Sequence, residues 1–155
     1  MRRLSGVLLA CAMFLVPAFT YGPGHLFAQS APNKTMFTGD VAVMAFSVNP
    51  DKTADYEKVL AQLKDALSKS EAPEGKQQLA GWKIIKNAMP NPDGSIVYVH
   101  IISPVVKGAD YSVMNNIYAA VKDPAEQKAV FDMYRGAMKA PLFVIQGPMV
   151  SDLSK

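Results

Sequence analysis

Few side chains in this 155-residue protein could do chemistry. It has two histidines and one cysteine. Cys11 and His25 fall in an N-terminal stretch that reads as a removable leader, which leaves His100 as the histidine of a mature domain. In Tyr98-Val99-His100-Ile101-Ile102 this imidazole is a candidate proton acceptor or axial haem ligand. It is equally an interface histidine, hydrogen-bonded across a subunit seam, because a base needs a partner and the sequence identifies none. Trp82 would stack on a flat ligand or pack as a core or rim aromatic. Tyr111, Met114 and Tyr118 recur along one helical face, which makes them core residues or the lining of a pocket with its mouth at Lys122-Asp123-Pro124. The candidate ligand-binding set is therefore Trp82, Tyr98, His100, Tyr111, Met114 and Tyr118. No phosphate loop, paired-histidine zinc motif or nucleophile elbow occurs. One histidine without cysteine does not make a structural zinc site, and the acids are not clustered, so no metal is expected. No cofactor is expected either, haem at His100 being the one exception.

The leader follows from the first 28 residues. Arg2 and Arg3 give a positive start, Val7 to Val16 is an unbroken apolar run, and Pro17 ends it. Leu26 and Ala28 suit the −3 and −1 positions of a signal-peptidase site, so cleavage is expected after Ala28. A spanning helix needs about 20 apolar residues, more than this run supplies. Leu8-Leu9-Ala10-Cys11 has the form of a lipobox, but the apolar run continues past Cys11, which argues against a lipoprotein. The mature protein is then periplasmic or secreted, with no membrane attachment and no thiol. The 16 basic side chains less Arg2 and Arg3 leave 14, against 13 acidic ones. That balance gives no reason to expect nucleic acid or an anionic membrane as partner.

Residues 29–38 read as an irregular arm, and 39–155 as one α+β domain. Half the chain is hydrophobic and 19% is charged, a globular composition rather than a disordered one. Asp40 to Val48 is a valine-rich strand closed by Asn49-Pro50-Asp51. Thr53 is the expected cap of a helix whose stripe is Tyr56, Val59, Leu60, Leu63 and Leu67, with Pro73 and Gly75 as its stop. Gly81–Ala88 and Ser95–Ile102 are strands joined by Pro90-Asn91-Pro92-Asp93-Gly94, hence an antiparallel hairpin. Tyr111 to Val121 forms a second helix, capped by Asp110 or Ser112. Asp123-Pro124-Ala125-Glu126 restarts it. Pro141 bars further helix, and Leu142–Ile145 is the last strand. The order β-α-β-β-α-β, with the second helix broken, predicts a ferredoxin-like fold: a four-stranded antiparallel sheet with helices on one face.

The strands do not alternate as a half-wet sheet requires. Val41, Val43 and Ala45 oppose Ala42, Met44, Phe46 and Val48. Val97, Val99 and Ile101 oppose Tyr98, His100 and Ile102. Helices on one side cover one apolar face and leave the other open, which a monomer avoids. A second copy is the simplest cover, and the arm or residues Lys76–Ala80 folded over the sheet are the other. The aliphatic row Val97, Val99, Ile101 suits the helices, which would turn His100 toward the dimer seam.

The strand order, two-sided sheet and size resemble the dimeric α+β barrel superfamily. Gly81-Trp82-Lys83, Lys107-Gly108-Ala109-Asp110-Tyr111 and the closing strand are also similar to uncharacterised exported bacterial proteins. The resemblance implies a homodimer and spans cofactor-free monooxygenases, haem-degrading enzymes, chlorite-dismutase-like proteins and binding proteins without known reaction. Three functions follow: a non-catalytic protein or binder of a small hydrophobic ligand, a cofactor-free monooxygenase-like enzyme acting on a flat hydrophobic substrate near Trp82, Tyr98 and His100, or a haem-binding protein.

Overall fold

A computed structural model describes residues 33–153. The expected leader at 1–28, with Cys11 and His25, and the first residues of the arm lie outside the described residues. The elements are β1 (Val41–Val48), α1 (Thr53–Ser68), α2 (Pro73–Gly81), β2 (Trp82–Lys86), β3 (Ile96–Ile102), α3 (Val113–Ala120), α4 (Pro124–Ala137) and β4 (Met138–Gly147). They form one antiparallel sheet in the order β2-β3-β1-β4, the ferredoxin-like arrangement.

Local chemistry explains most boundaries. A single 3-10 turn at Pro50–Lys52 leads into α1, so Thr53 is the first helical residue and caps nothing. Tyr56, Val59, Leu63 and Leu67 are buried along its inner stripe. Asp123 caps α4 as expected, its Oδ1 accepting from the Ala125 N–H at 3.0 Å. In the β2–β3 turn, Gly94 adopts φ +80°, which a side chain would strain. Asp93 accepts there from the N–H and hydroxyl of Ser95, and Lys139 of β4 pairs with it at 2.7 Å. That ammonium and the serine bonds hold the Asp93 carboxyl well below the usual carboxylate range.

Two elements differ from expectation. Pro73 and Gly75 do not end helical structure; they open α2, with Pro73 in its first turn, where a missing N–H costs nothing. Gly81 ends that helix so close to the chain after β3 that a Cβ there would sit 2.9 Å from the Pro104 carbonyl oxygen. β4 is longer than four residues and runs through Pro141, opposite Phe46. β4 is an edge strand, and its pairing with β1 slips between Ala45 and Phe46 and again between Ser47 and Val48. Edges and bulges are where a strand accepts proline.

The register sorts the sheet into rows. One face carries Trp82, Ile102 and Ala42; then Ile84, His100, Met44 and Val144; then Lys86, Tyr98 and Phe46. The helices pack on this face, where Ala42, Met44, Tyr98, His100 and Ile102 are all buried. The other face carries Lys83, Ile101, Val43 and Ile145, then Ile85, Val99, Ala45 and Phe143. No described element covers it: Ile145 is 63% exposed, Ile85 52% and Phe143 46%. His100 therefore looks into the helices, and the aliphatic row Val97, Val99, Ile101 looks outward, the reverse of the sequence expectation. The described part of the arm, residues 33–38, does not cover the open face either. Thr35 is tied to Asp110 and Tyr111, and Phe37 enters the core under the helices against Tyr111. Residues Lys76–Ala80 belong to α2.

Candidate functional site

The site is built outward from His100, fully buried at the centre of β3. Each of its ring nitrogens has a side-chain partner. The Trp82 Nε1–H donates to Nδ1 at 3.1 Å, and the Tyr56 hydroxyl lies 3.0 Å from Nε2. An indole N–H can only donate, so Nδ1 must offer its lone pair. The proton of the neutral ring is then on Nε2, which donates to the Tyr56 oxygen. A second proton would meet the Trp82 N–H head-on. Burial acts in the same direction and depresses the His100 pKa to about 4.

Aromatic rings enclose this pair of bonds. Phe46 meets the imidazole edge-on at 5.2 Å between centroids, Trp82 meets Tyr111 edge-on at 5.3 Å, and Tyr56 meets Tyr98 at 4.8 Å. Burial pushes the Tyr56 hydroxyl well above its usual pKa, and that of Tyr134, stacked beside it, up to about 12. The Tyr98 hydroxyl reaches the domain surface and donates to Glu57 Oε1 at 2.7 Å; Lys86 donates to the same oxygen at 2.8 Å. Burial first, and then Glu57, raise the Tyr98 pKa to about 12. The two donors hold the Glu57 carboxyl below its ordinary value.

Trp82 also borders a cleft of about 260 Å³ between α1, α2 and β2. Leu60, Leu63 and Leu67 of α1, Leu79 of α2, Trp82 and Ile84 line it, with Lys64 as its charged side chain. Pockets for drug-sized ligands run to roughly 300–1,000 Å³, so this cleft suits a smaller molecule.

Of the six residues singled out from sequence, only Trp82 lines the cleft. His100 and Tyr111 stand behind it, Tyr111 with its hydroxyl accepting from the Val106 N–H at 2.8 Å. Tyr98 sits one pair further along the sheet. Met114 and Tyr118 lie on α3, packed in or against the core and away from Trp82's cleft. Depressions do flank Lys122, as the helix break suggested, but Tyr111, Met114 and Tyr118 line none of them. Tyr56 and Lys64 were missed. A tyrosine inside an aliphatic stripe was the available signal, since a buried hydroxyl needs a partner. Among the described residues no group of three or more His, Cys, Asp or Glu is placed to hold a metal ion, and no helix is long and apolar enough to cross a membrane.

Comparison with family models, curated proteins and solved structures gives no match for this chain.

Proposed function

We propose that the protein is exported after loss of residues 1–28 and acts as a binding protein for a small hydrophobic molecule, held at Trp82, in a homodimer of the dimeric α+β barrel kind. One observation carries the binding role: an apolar cleft has Trp82 among its walls, while the indole N–H is held in place by His100. A ring held in that way is a preorganised apolar platform. The same bonds speak for binding without catalysis. A general base needs a lone pair facing its substrate, and a haem ligand needs a free ring nitrogen. In His100 one nitrogen is occupied by Trp82 and the other already carries a proton directed at Tyr56. An oxygenase or haem role would require that network to open.

The bare sheet face supports the homodimer. Ile85, Val99, Ile101, Val43, Phe143 and Ile145 form a continuous apolar patch across all four strands, of a kind monomers rarely leave wet. Lys83 lies on the edge strand β2, at the rim, where a charge remains hydrated.

Trp82 is the sole tryptophan, so its emission reports on the cleft directly. Titration with 1-octanol should shift that emission saturably, and Leu60→Glu should abolish the response. Emission indifferent to octanol and to other small apolar molecules overturns the binding role. Sedimentation velocity should show a dimer that Val99→Lys converts to a folded monomer. A wild-type protein that sediments as a monomer at high concentration overturns the pairing.

A further inference from the structure

The cleft at Trp82 is not chemically neutral, and its one charge gives a ligand class. This inference rests on the binding role proposed above. Six of the lining side chains are apolar and the seventh is Lys64; no carboxylate is among them. Leu60, Lys64 and Leu67 follow one another at steps of four and three along α1, so the lysine stands on the same stripe as two of the leucines that wall the cleft.

Its neighbours on the helix are neutralised. Lys58 pairs with Asp55 at 3.8 Å, and Lys69 with Asp65, the acid next to Lys64 in sequence, at 2.5 Å. Among the described residues Lys64 itself makes no ion pair or hydrogen bond. A lysine lays its methylene stem along apolar surface and keeps its ammonium at the mouth. The result is an apolar trough with a single uncompensated positive charge at its edge.

We infer that the cleft takes a small amphiphile bearing one carboxylate: an aliphatic chain or single ring lies against Trp82, Leu63 and Ile84, and the carboxylate meets the Lys64 ammonium at the opening. A neutral apolar ligand would fill the same trough without using the charge, and a cationic one would be repelled by it.

The test compares three probes of matched size on the full mature protein by Trp82 fluorescence: octanoate, 1-octanol and octylammonium. Octanoate should bind about three- to fivefold more tightly than octanol, the size of one partly exposed ion pair. Octylammonium should bind more weakly than octanol. Lys64→Gln should bring the ratio of octanoate to octanol affinity to about one, Lys64→Arg should keep it, and added salt should reduce it. Lys64 is exposed, so these variants do not endanger folding. Octanoate and octanol binding equally, or a preference that survives Lys64→Gln, overturns the carboxylate inference and leaves the binding role standing. No saturable response to any of the three probes overturns the binding role itself.

Discussion

The two faces of the sheet have almost equal apolar content and opposite fates. The face under the helices holds His100, Tyr98 and Trp82 beside Met44 and Ile102, and the polar atoms of the three rings find side-chain partners. The bare face is mostly branched aliphatics, with Phe143 among them and the charge of Lys83 kept to the edge strand. Buried polar tips need partners at fixed distance and angle, and a helix of the same chain supplies them reliably. Aliphatic side chains need only to be kept from water, and another molecule can do that. Hydrophobicity alone therefore does not tell which face a domain folds around; the demands of its few polar atoms do.

Neighbouring residues of β3 break this comparison most sharply. Ile102 is buried under the helices and Ile101 faces outward. Ile102→Ala should cost about 2–5 kcal/mol in urea unfolding, as large-to-small core changes do. Ile101→Ala should cost about 1 kcal/mol or less in dilute protein, with a larger cost appearing as concentration rises. Equal costs independent of concentration would mean that both faces belong to one ordinary core.

Acid should act next most strongly, and through the covered face. Above pH 6.5 His100 is uncharged whether folded or unfolded and contributes nothing to pH dependence. Between 6.5 and about 4 the unfolded chain takes up a proton that the folded protein refuses, so stability falls as pH falls. Below that window both forms are protonated and the penalty is constant. The full drop is about 3 kcal/mol. Glu57 and Asp93, held below their ordinary values of 4.5 and 3.8, lose their contributions only at lower pH. His100→Leu should remove the step between pH 6.5 and 4.5, at a cost of about 2–3 kcal/mol at neutral pH for leaving the Trp82 N–H and Tyr56 hydroxyl unpartnered. A step that persists in that variant would assign it to other groups.

The smallest effect belongs to the helix layer itself. Asp123→Ala should cost about 1 kcal/mol by freeing the Ala125 N–H at the start of α4. It should leave the sedimentation of the protein unchanged, since α4 lies on the far side of the sheet from the bare face.

Much of this fold was legible in the chain. Valine runs, the Asn91-Pro92-Asp93-Gly94 turn, the stripe on α1 and the cap at Asp123 each carry a local signal that tertiary packing then respects. Local signals misled where their meaning depends on position. Pro73 reads as a stop, yet it opens α2 because a helix's first turn does not use the proline nitrogen. Period-two alternation yields two equivalent faces, and aliphatic purity points to the wrong one as the inner face, so His100 lies opposite to the expected side. Tyr56 decides the matter, 44 residues away on α1, and no spacing rule links it to His100. Trp82 was legible as a residue that could meet a ligand, whereas the leucines and Lys64 that complete its cleft come from α1 and α2 and are joined to it only by the packing of those helices on β2.

Pro141 and the two register slips in β4 bear on how copies of this domain can meet. An edge strand with Leu142 to Ile145 exposed would ordinarily invite another strand to continue the ladder, the route by which sheets grow into fibrils. A residue without an N–H removes a rung, and each slip bends the ribbon out of the plane that a newcomer would have to follow. Sideways growth is obstructed at this rim, while the broad surface beside it stays open to stacking. For the homodimer proposed above, that geometry favours a closed pair over an unlimited array.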